Sequence, residues 1–212
     1  MITDVSRNLF WLGHDSFLLM TAGRAVYFDP FQLSENLPPA ELILISHEHF
    51  DHCSPEDVGK IRRGKTAIVT DRAAAAKLKG NITIVQPGQQ ITIEGISIET
   101  VPSYNTDKKF HPVSAAWLGF IVTVNGVRVY HAGDTDFIPE MKDIRTDIAL
   151  LPVSGTYVMT AEEAAEAALA IRPALAIPMH YGSIVGTEKD AARFEELLKG
   201  KVEVKILKKA KF

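Results

Sequence analysis

The stretch Ser46-His47-Glu48-His49-Phe50-Asp51-His52-Cys53 decides how this chain is read. Three histidines and one aspartate fall in the order H-x-H-x-D-H. Neutral imidazole and carboxylate are the ligands that borderline divalent metals such as zinc prefer. Glu41-Leu42-Ile43-Leu44-Ile45 precedes the stretch as an apolar run of strand length. Ser54-Pro55-Glu56-Asp57 follows as a helix start, with serine at the cap and proline in the first turn. The histidines therefore belong to a tight loop at a strand's C-terminal edge, where open α/β sheets place their sites. If extended backbone persists past Ile45, His47 and His49 project to one side at i, i+2, and Asp51 and His52 come from the turn beyond. A polar loop that happens to be rich in histidine is the plainer alternative. With 7 histidines in 212 residues, composition alone produces such a coincidence about once in a few thousand chains. A metal site is the stronger reading.

This loop resembles the signature of the metallo-β-lactamase superfamily. The likeness runs along essentially the whole chain, from Leu12-Gly13-His14-Asp15-Ser16-Phe17 to Pro178-Met179-His180-Tyr181-Gly182. Within the superfamily it is most similar to the branch of ascorbate-6-phosphate lactonase and N-acylphosphatidylethanolamine phospholipase D. The resemblance implies an α/β fold, a four-layer αββα sandwich of two mixed β-sheets flanked by helices, with residues 1–212 as a single hydrolase domain. Element order alone does not distinguish that architecture from another mixed α/β fold.

Composition is ordinary for a globular chain, with 46% hydrophobic and 23% charged residues. The net charge of −3 and the absence of a basic stripe, apart from the lysines at 205, 208, 209 and 211, disfavour nucleic acid as the main partner. Cys53 is the only cysteine, so no intramolecular disulfide forms and a reducing compartment fits. The first residues lack the basic-then-apolar pattern of a signal peptide, and no apolar run approaches the ~20 residues that span a bilayer. A cytoplasmic protein with a small-molecule substrate and no membrane span is the expectation; homo-oligomerisation is left open.

Short apolar runs at 8–12, 16–20 and 25–28, separated by glycine-bearing turns, predict a meander. Helices are expected over 54–62 and 71–78, with strands at 66–69 and 82–85 between and after them. Residues 91–93 and 96–98 alternate around Glu94-Gly95, and 117–124 and 127–131 flank Asn125-Gly126; both read as hairpins. The polar, proline-bearing segment 101–112 between them is a loop of the length that often carries function. A strand at 147–151 follows. Thr160-Ala161-Glu162-Glu163 is a capping box opening a helix to Ile171, stopped by Pro173. A strand at 174–177, a helix at 187–198 and a last strand at 202–206 complete the pattern.

The H-x-H-x-D-H loop cannot complete two metal sites alone. His47 with His49 can bind one ion and Asp51 with His52 a second, so further donors must come from elsewhere. The Gly133-Asp134-Thr135 turn resembles the superfamily's bridging aspartate, and His180, at the end of an apolar run, its final histidine. His111 and His131 compete for the remaining place. In a regular strand the side chains of His131 and Asp134 face opposite ways. His111 sits in the long loop where the superfamily's third histidine is found, and is favoured. The resemblance also gives Asp29 a role in supporting the histidine loop by hydrogen bonding without touching metal. His14, His131, Tyr104 and Tyr181 are further candidates for contacts to the ligands or to substrate, with Asn105 and Tyr157 flanking the same loops.

Two divalent ions, zinc first and manganese second, would hold a bridging water and polarise the bond under attack. Asp51 is placed both to bind an ion and to orient or accept a proton from that water. A metal-dependent hydrolase of an ester, lactone or phosphodiester is the leading expectation. The rivals are a metal-binding but non-catalytic member of the fold and a di-iron redox relative, whose kin carry Glu where this chain has His49.

Overall fold

Successive residues of a β-strand point to opposite faces, and the early strands are apolar on both. Phe17, Leu19, Val26, Phe28, Leu42 and Leu44 join one buried cluster, while Leu18, Tyr27, Ile43 and Ile45 join another. A sheet covered on both faces needs a layer on each side. In the computed structural model, which describes residues 1–212, a second sheet lies on one side and helices on the other.

The first sheet has the order β1 (Leu9–Gly13), β2 (Ser16–Thr21), β3 (Arg24–Phe28), β4 (Leu42–Ile45), β5 (Ala67–Thr70), β6 (Asn81–Ile84). The first three strands form an antiparallel meander, and from β3 onward the pairing is parallel. The second sheet repeats the plan. β7 (Gln90–Ile93), β8 (Ile96–Pro102), β9 (Leu118–Val124) and β10 (Val127–His131) pair antiparallel in turn. β11 (Ile148–Pro152), β12 (Leu175–Met179) and β13 (Glu203–Val204) then add in parallel. Asn125 and Gly126 both have positive φ, as do Glu94 and Gly95, the backbone that a tight two-residue hairpin turn requires.

Helix α1 (Ile2–Arg7) precedes the first sheet. Val58, Ile61 and Ala74 of α2 (Pro55–Ile61) and α3 (Arg72–Ala75) fill the first sheet's outer face. Ala164, Ala168 and Ile171 of α4 (Ala161–Ile171), with Ala191, Phe194 and Leu198 of α5 (Glu188–Leu198), belong to the large cluster that runs through the second sheet. The four layers are those of the αββα sandwich. Ser54 caps α2 through the Asp57 amide, and the Thr160–Glu163 capping box closes reciprocally on α4.

Four expectations shift in extent. The helix expected over 71–78 keeps only Arg72–Ala75: Asp71 caps the amides of Ala73 and Ala74 at its start, and past Ala75 the amides of Lys77 and Leu78 donate to carbonyls three residues back, a tighter turn that leads on to β6 at Asn81. The final strand shrinks to two residues, paired with Leu175 and Ala176. β12 extends through Pro178, which falls beyond the reach of β13, so its missing N–H costs no ladder bond on that edge. β8 takes in Val101 and Pro102, so the long loop begins at Ser103.

The architecture brings three strand ends together. β4 runs into the histidine loop, β10 into Gly133-Asp134, and β12 into His180. Gly133 has φ +64°, and a Cβ there would stand 2.8 Å from the Leu118 carbonyl and 3.1 Å from Ser46 Cβ. Only glycine lets the two sheets approach closely enough to set Asp134 beside the histidines.

Candidate metal centre

The histidine loop is a tight turn in which the amides of His52 and Cys53 both donate to the His49 carbonyl. That turn brings Asp51 and His52 back towards His47. His47 Nε2 lies 3.0 Å from His49 Nδ1, and the rings of His47 and His49 each stand 5.2 Å from that of His111. Trp117 packs its indole against all three rings. Their ligand atoms lie within 4.8 Å of one another, a spacing that could hold a metal ion.

Asp134 stands between this trio and a second group. Its Oδ2 is 3.1 Å from His111 Nε2 and 3.2 Å from His180 Nε2, and its Oδ1 is 3.3 Å from His52 Nε2. Asp51 Oδ2 lies 3.8 Å from His52 Nε2 and 3.1 Å from His14 Nε2. His14, Asp51, His52 and His180 thus form a second cluster of metal-ligand spacing, and Asp15, His52, Asp134 and His180 a third that overlaps it.

The outer nitrogens of four rings are anchored, which fixes where the inner ones point. Asp29 accepts from the Ser46 amide at 2.7 Å and from the Ser46 hydroxyl at 2.6 Å, and its Oδ2 is 2.8 Å from His52 Nδ1. Ser46 Oγ is also 2.9 Å from His47 Nδ1. His111 Nδ1 is 3.0 Å from Asn105 Oδ1, and His180 Nδ1 is 2.8 Å from Ser154 Oγ. Such partners are what hold imidazoles in place around a metal. Of the inward atoms, His47 Nε2 meets only His49 Nδ1, and most of the others have no partner. His52 Nε2, His111 Nε2, His180 Nε2 and Asp134 Oδ1 are buried with no hydrogen-bond partner, as are His14 Nδ1 and both carboxylate oxygens of Asp15. Buried polar groups are nearly always paired, so this donor set fits divalent ions that would complete it.

The cluster's charges are tightly linked. Burial holds His47 well below the usual histidine range, so its ring is neutral and free to coordinate. Burial also opposes charge on His52, but the carboxylates of Asp134 and Asp29 outweigh it and raise that ring well above its ordinary value. Burial works against ionising Asp134 too, yet His180 and His52 hold its carboxyl well below its usual range. For Asp51 burial is likewise overcome by the His14 hydrogen bond and the charge of His52, leaving it lowered. Asp15 goes the other way, pushed up by burial and by the nearby charge of Asp134. Asp29, His14 and His180 all sit at positive φ, and such strain in non-glycine residues clusters at functional sites.

His47, His49, Asp51, His52, His111, Asp134 and His180 are thus brought into one cluster. Asp29 lies behind it, bonded to Ser46 and His52. His14 reaches the cluster itself through Asp51. His131 does not reach it: its Nε2 donates to the Asp15 carbonyl at 2.8 Å, its Nδ1 accepts from the Gly133 amide at 3.3 Å, and its ring stacks on Phe28. Tyr104 turns its hydroxyl away to Glu140, and Tyr181 stacks on Trp11. Sequence reasoning passed over Asp15, Trp117 and Ser154. Only Asp15, next to His14, carried any local signal, and a polar residue in a turn is a weak one.

A cleft of about 300 Å³ opens onto the cluster. His49, Asp51, His111 and Asp134 contribute its polar lining; Phe50, Phe110, Tyr157 and Ile184 contribute the rest.

A sandwich with imidazole and carboxylate donors gathered at the ends of its strands defines a protein of the metallo-β-lactamase kind. Residues 8–180 match the beta-lactamase superfamily domain. The UPF0173 metal-dependent hydrolase of Thermoplasma acidophilum is 36% identical over 206 residues, covering 90% of each chain. The chain belongs to this superfamily and, within it, to the UPF0173 metal-dependent hydrolase family. A Parabacteroides distasonis protein assigned as a metal-dependent hydrolase has a crystal structure that superposes with a TM-score of 0.86 at 35% identity, covering 94% of this chain and 93% of that one. A metallo hydrolase from Ignicoccus hospitalis shares the fold, with a TM-score of 0.77 at 24% identity over 96% of this chain and 95% of its own. No helix is long and apolar enough to cross a membrane.

Proposed function

We propose that this metal-dependent hydrolase is binuclear and cleaves a small ester, lactone or phosphodiester, acting as a single domain on a small-molecule substrate in the cytoplasm, with no nucleic-acid partner. One ion would be held by His47, His49 and His111, the other by Asp51, His52 and His180, with Asp134 between them; zinc is the first expectation and manganese the second. The observation that carries the reading is the set of buried, inward-facing nitrogen and oxygen atoms without partners, set around one aspartate at 3.1–3.3 Å from three histidines. Two divalent ions bound there would lower the pKa of a water towards ~7 and polarise the scissile bond. The chain supplies the rest. Trp117 walls off one side of the trio. Asp51, held ionised and fixed by His14, can orient the attacking water and accept its proton.

The test combines metal analysis with a panel of lactone, ester and phosphodiester substrates. Native mass spectrometry is expected to find two ions per chain after reconstitution, and the loaded protein to hydrolyse at least one class. At most one ion with excess metal would overturn the binuclear assignment; no turnover by fully loaded protein would overturn the hydrolase.

Metal binding should also be strongly pH-dependent. His52 has its folded-state pKa raised, so in ion-free protein its contribution to stability is present below the unfolded value and lost as pH rises through the folded one. An ion must displace that proton, so the stabilisation by metal should run the opposite way and grow with pH. At a thousandfold excess over Kd an ion adds about 4 kcal/mol, or roughly 8–16 °C in Tm for a chain of this size. The measurement is Tm with zinc against EDTA at about pH 5.5 and about pH 7.5. A zinc-dependent shift equal at the two values would contradict coordination by these imidazoles.

A further inference from the structure

Apolar side chains rim the cleft above the cluster. Phe50 lies between His49 and Asp51 in the histidine loop and is 68% exposed; Phe110, next to His111, is 50% exposed; Ile184, four residues past His180, is 40% exposed. Each comes from a different loop that also delivers a cluster residue. Phe110 stands edge-on to Tyr157 at 4.7 Å, and Phe50 edge-on to Phe31 at 5.9 Å, contacts that orient both rings. The cleft lining contains no lysine or arginine. Of the cations near the rim, Lys108 is committed to Asp136 at 2.7 Å and Asp107 at 2.8 Å, and Lys77 to Glu48 at 2.9 Å; Lys109, next to Phe110, is exposed and lies outside the cleft lining.

Resting on the hydrolase reading above, we infer that the substrate is a neutral ester or lactone whose non-reacting group is apolar, an alkyl or aryl chain seated among Phe50, Phe110, Tyr157 and Ile184. The bond under attack sits on the cluster floor, and the rest of the molecule must leave through this rim because both belong to one cleft. A second anionic group, such as a sugar phosphate remote from the reacting bond, meets no fixed cation here. No Arg or Lys lines the cleft to compensate its desolvation there. A volume of about 300 Å³ suits a short chain, at the small end of ligand sites.

The test separates binding from turnover. Hydroxamates chelate metal through one end and carry an alkyl tail at the other, so zinc-loaded protein is titrated calorimetrically with acetohydroxamate and hexanohydroxamate. The longer tail should bind about tenfold tighter or better, given roughly fourfold per fully buried methylene. In Phe110→Ser and Ile184→Ser, with metal content checked, the tail's advantage should shrink several-fold. Equal affinity for the two probes in wild-type protein, or an advantage that survives both substitutions, would overturn the inference. So would light scattering showing that these substitutions split a dimer while leaving the tail's advantage intact, since the rim would then be an interface. In turnover, p-nitrophenyl hexanoate should exceed p-nitrophenyl acetate in kcat/KM, and p-nitrophenyl phosphate should be the poorest substrate. If no ester or lactone is cleaved while the tail's binding advantage holds, the ester and lactone assignment falls and the apolar cleft stands; the hydrolase itself falls only if phosphodiesters are also left intact. If esters are cleaved with no preference for the longer chain, the hydrolase stands and the apolar cleft falls.

Discussion

Asp51→Asn is expected to lower kcat by about 10²–10⁴-fold at saturating metal, with a much smaller change in KM. The asparagine keeps the size and one oxygen of the native side chain, so an ion can still bind. It loses the charge that would orient a water and receive its proton. The surroundings of Asp51 keep it ionised and fixed, as a group that orients a water must be. Its carboxyl is held below the usual range, and it pairs with His14 Nε2 at 3.1 Å, which fixes its orientation. It also lines the cleft, at the boundary between cluster and substrate space. The assay is steady-state kinetics of wild type and variant across increasing zinc, on whichever substrate the panel identifies. If excess metal restores full activity, Asp51 serves as a ligand alone. If the loss persists at full metal occupancy, it also moves the proton.

The cluster was readable in sequence to the extent that its chemistry is local. Four donors sit in one loop, and donor chemistry concentrated that tightly needs no tertiary knowledge. Asp134 and His180 each follow an apolar run, which puts them near a sheet edge, but their places in the site come from the resemblance of the Gly133-Asp134-Thr135 turn and of the run ending in His180 to the superfamily's pattern. The roles of other residues are set by contacts between distant segments. Ser154 meets His180 across 26 positions, and His14 meets Asp51 across 37. No spacing rule foretells either. Trp117 looked like the first residue of a hairpin, yet it stands just before β9 and packs against three histidines. The same holds for the fold. Hairpins at Glu94-Gly95 and Asn125-Gly126 follow from turn chemistry, because few residues tolerate positive φ. Six-residue α1 has too short a pattern to register, and two-residue β13 exists only because β12 offers it an edge. That the exposed Phe50 and Phe110 share a cleft follows from the way separate loops converge, which apolar periodicity does not encode.

His111→Ala and His131→Ala should fail in opposite ways. His111 points Nε2 at Asp134, while Asn105 holds its Nδ1. Removing it takes one donor from the trio with His47 and His49 and leaves the sheets untouched. The folded variant should therefore carry about one ion in place of two and lose most activity. His131 has neither nitrogen free, since both are bonded to backbone, and its ring lies parallel to Phe28 at 5.3 Å between the sheets. Its removal leaves a cavity and an unpaired Asp15 carbonyl, at a cost of about 3 kcal/mol. For a chain of this length that is a fall of roughly 6–12 °C in Tm. Below that transition the variant should keep its metal. Elemental analysis of the folded fraction after gel filtration, beside a thermal melt of the same sample, reads both effects. An alanine at 131 that drops an ion without moving the melt, or one at 111 that keeps both ions, would exchange the two roles and place His131 at the metal centre.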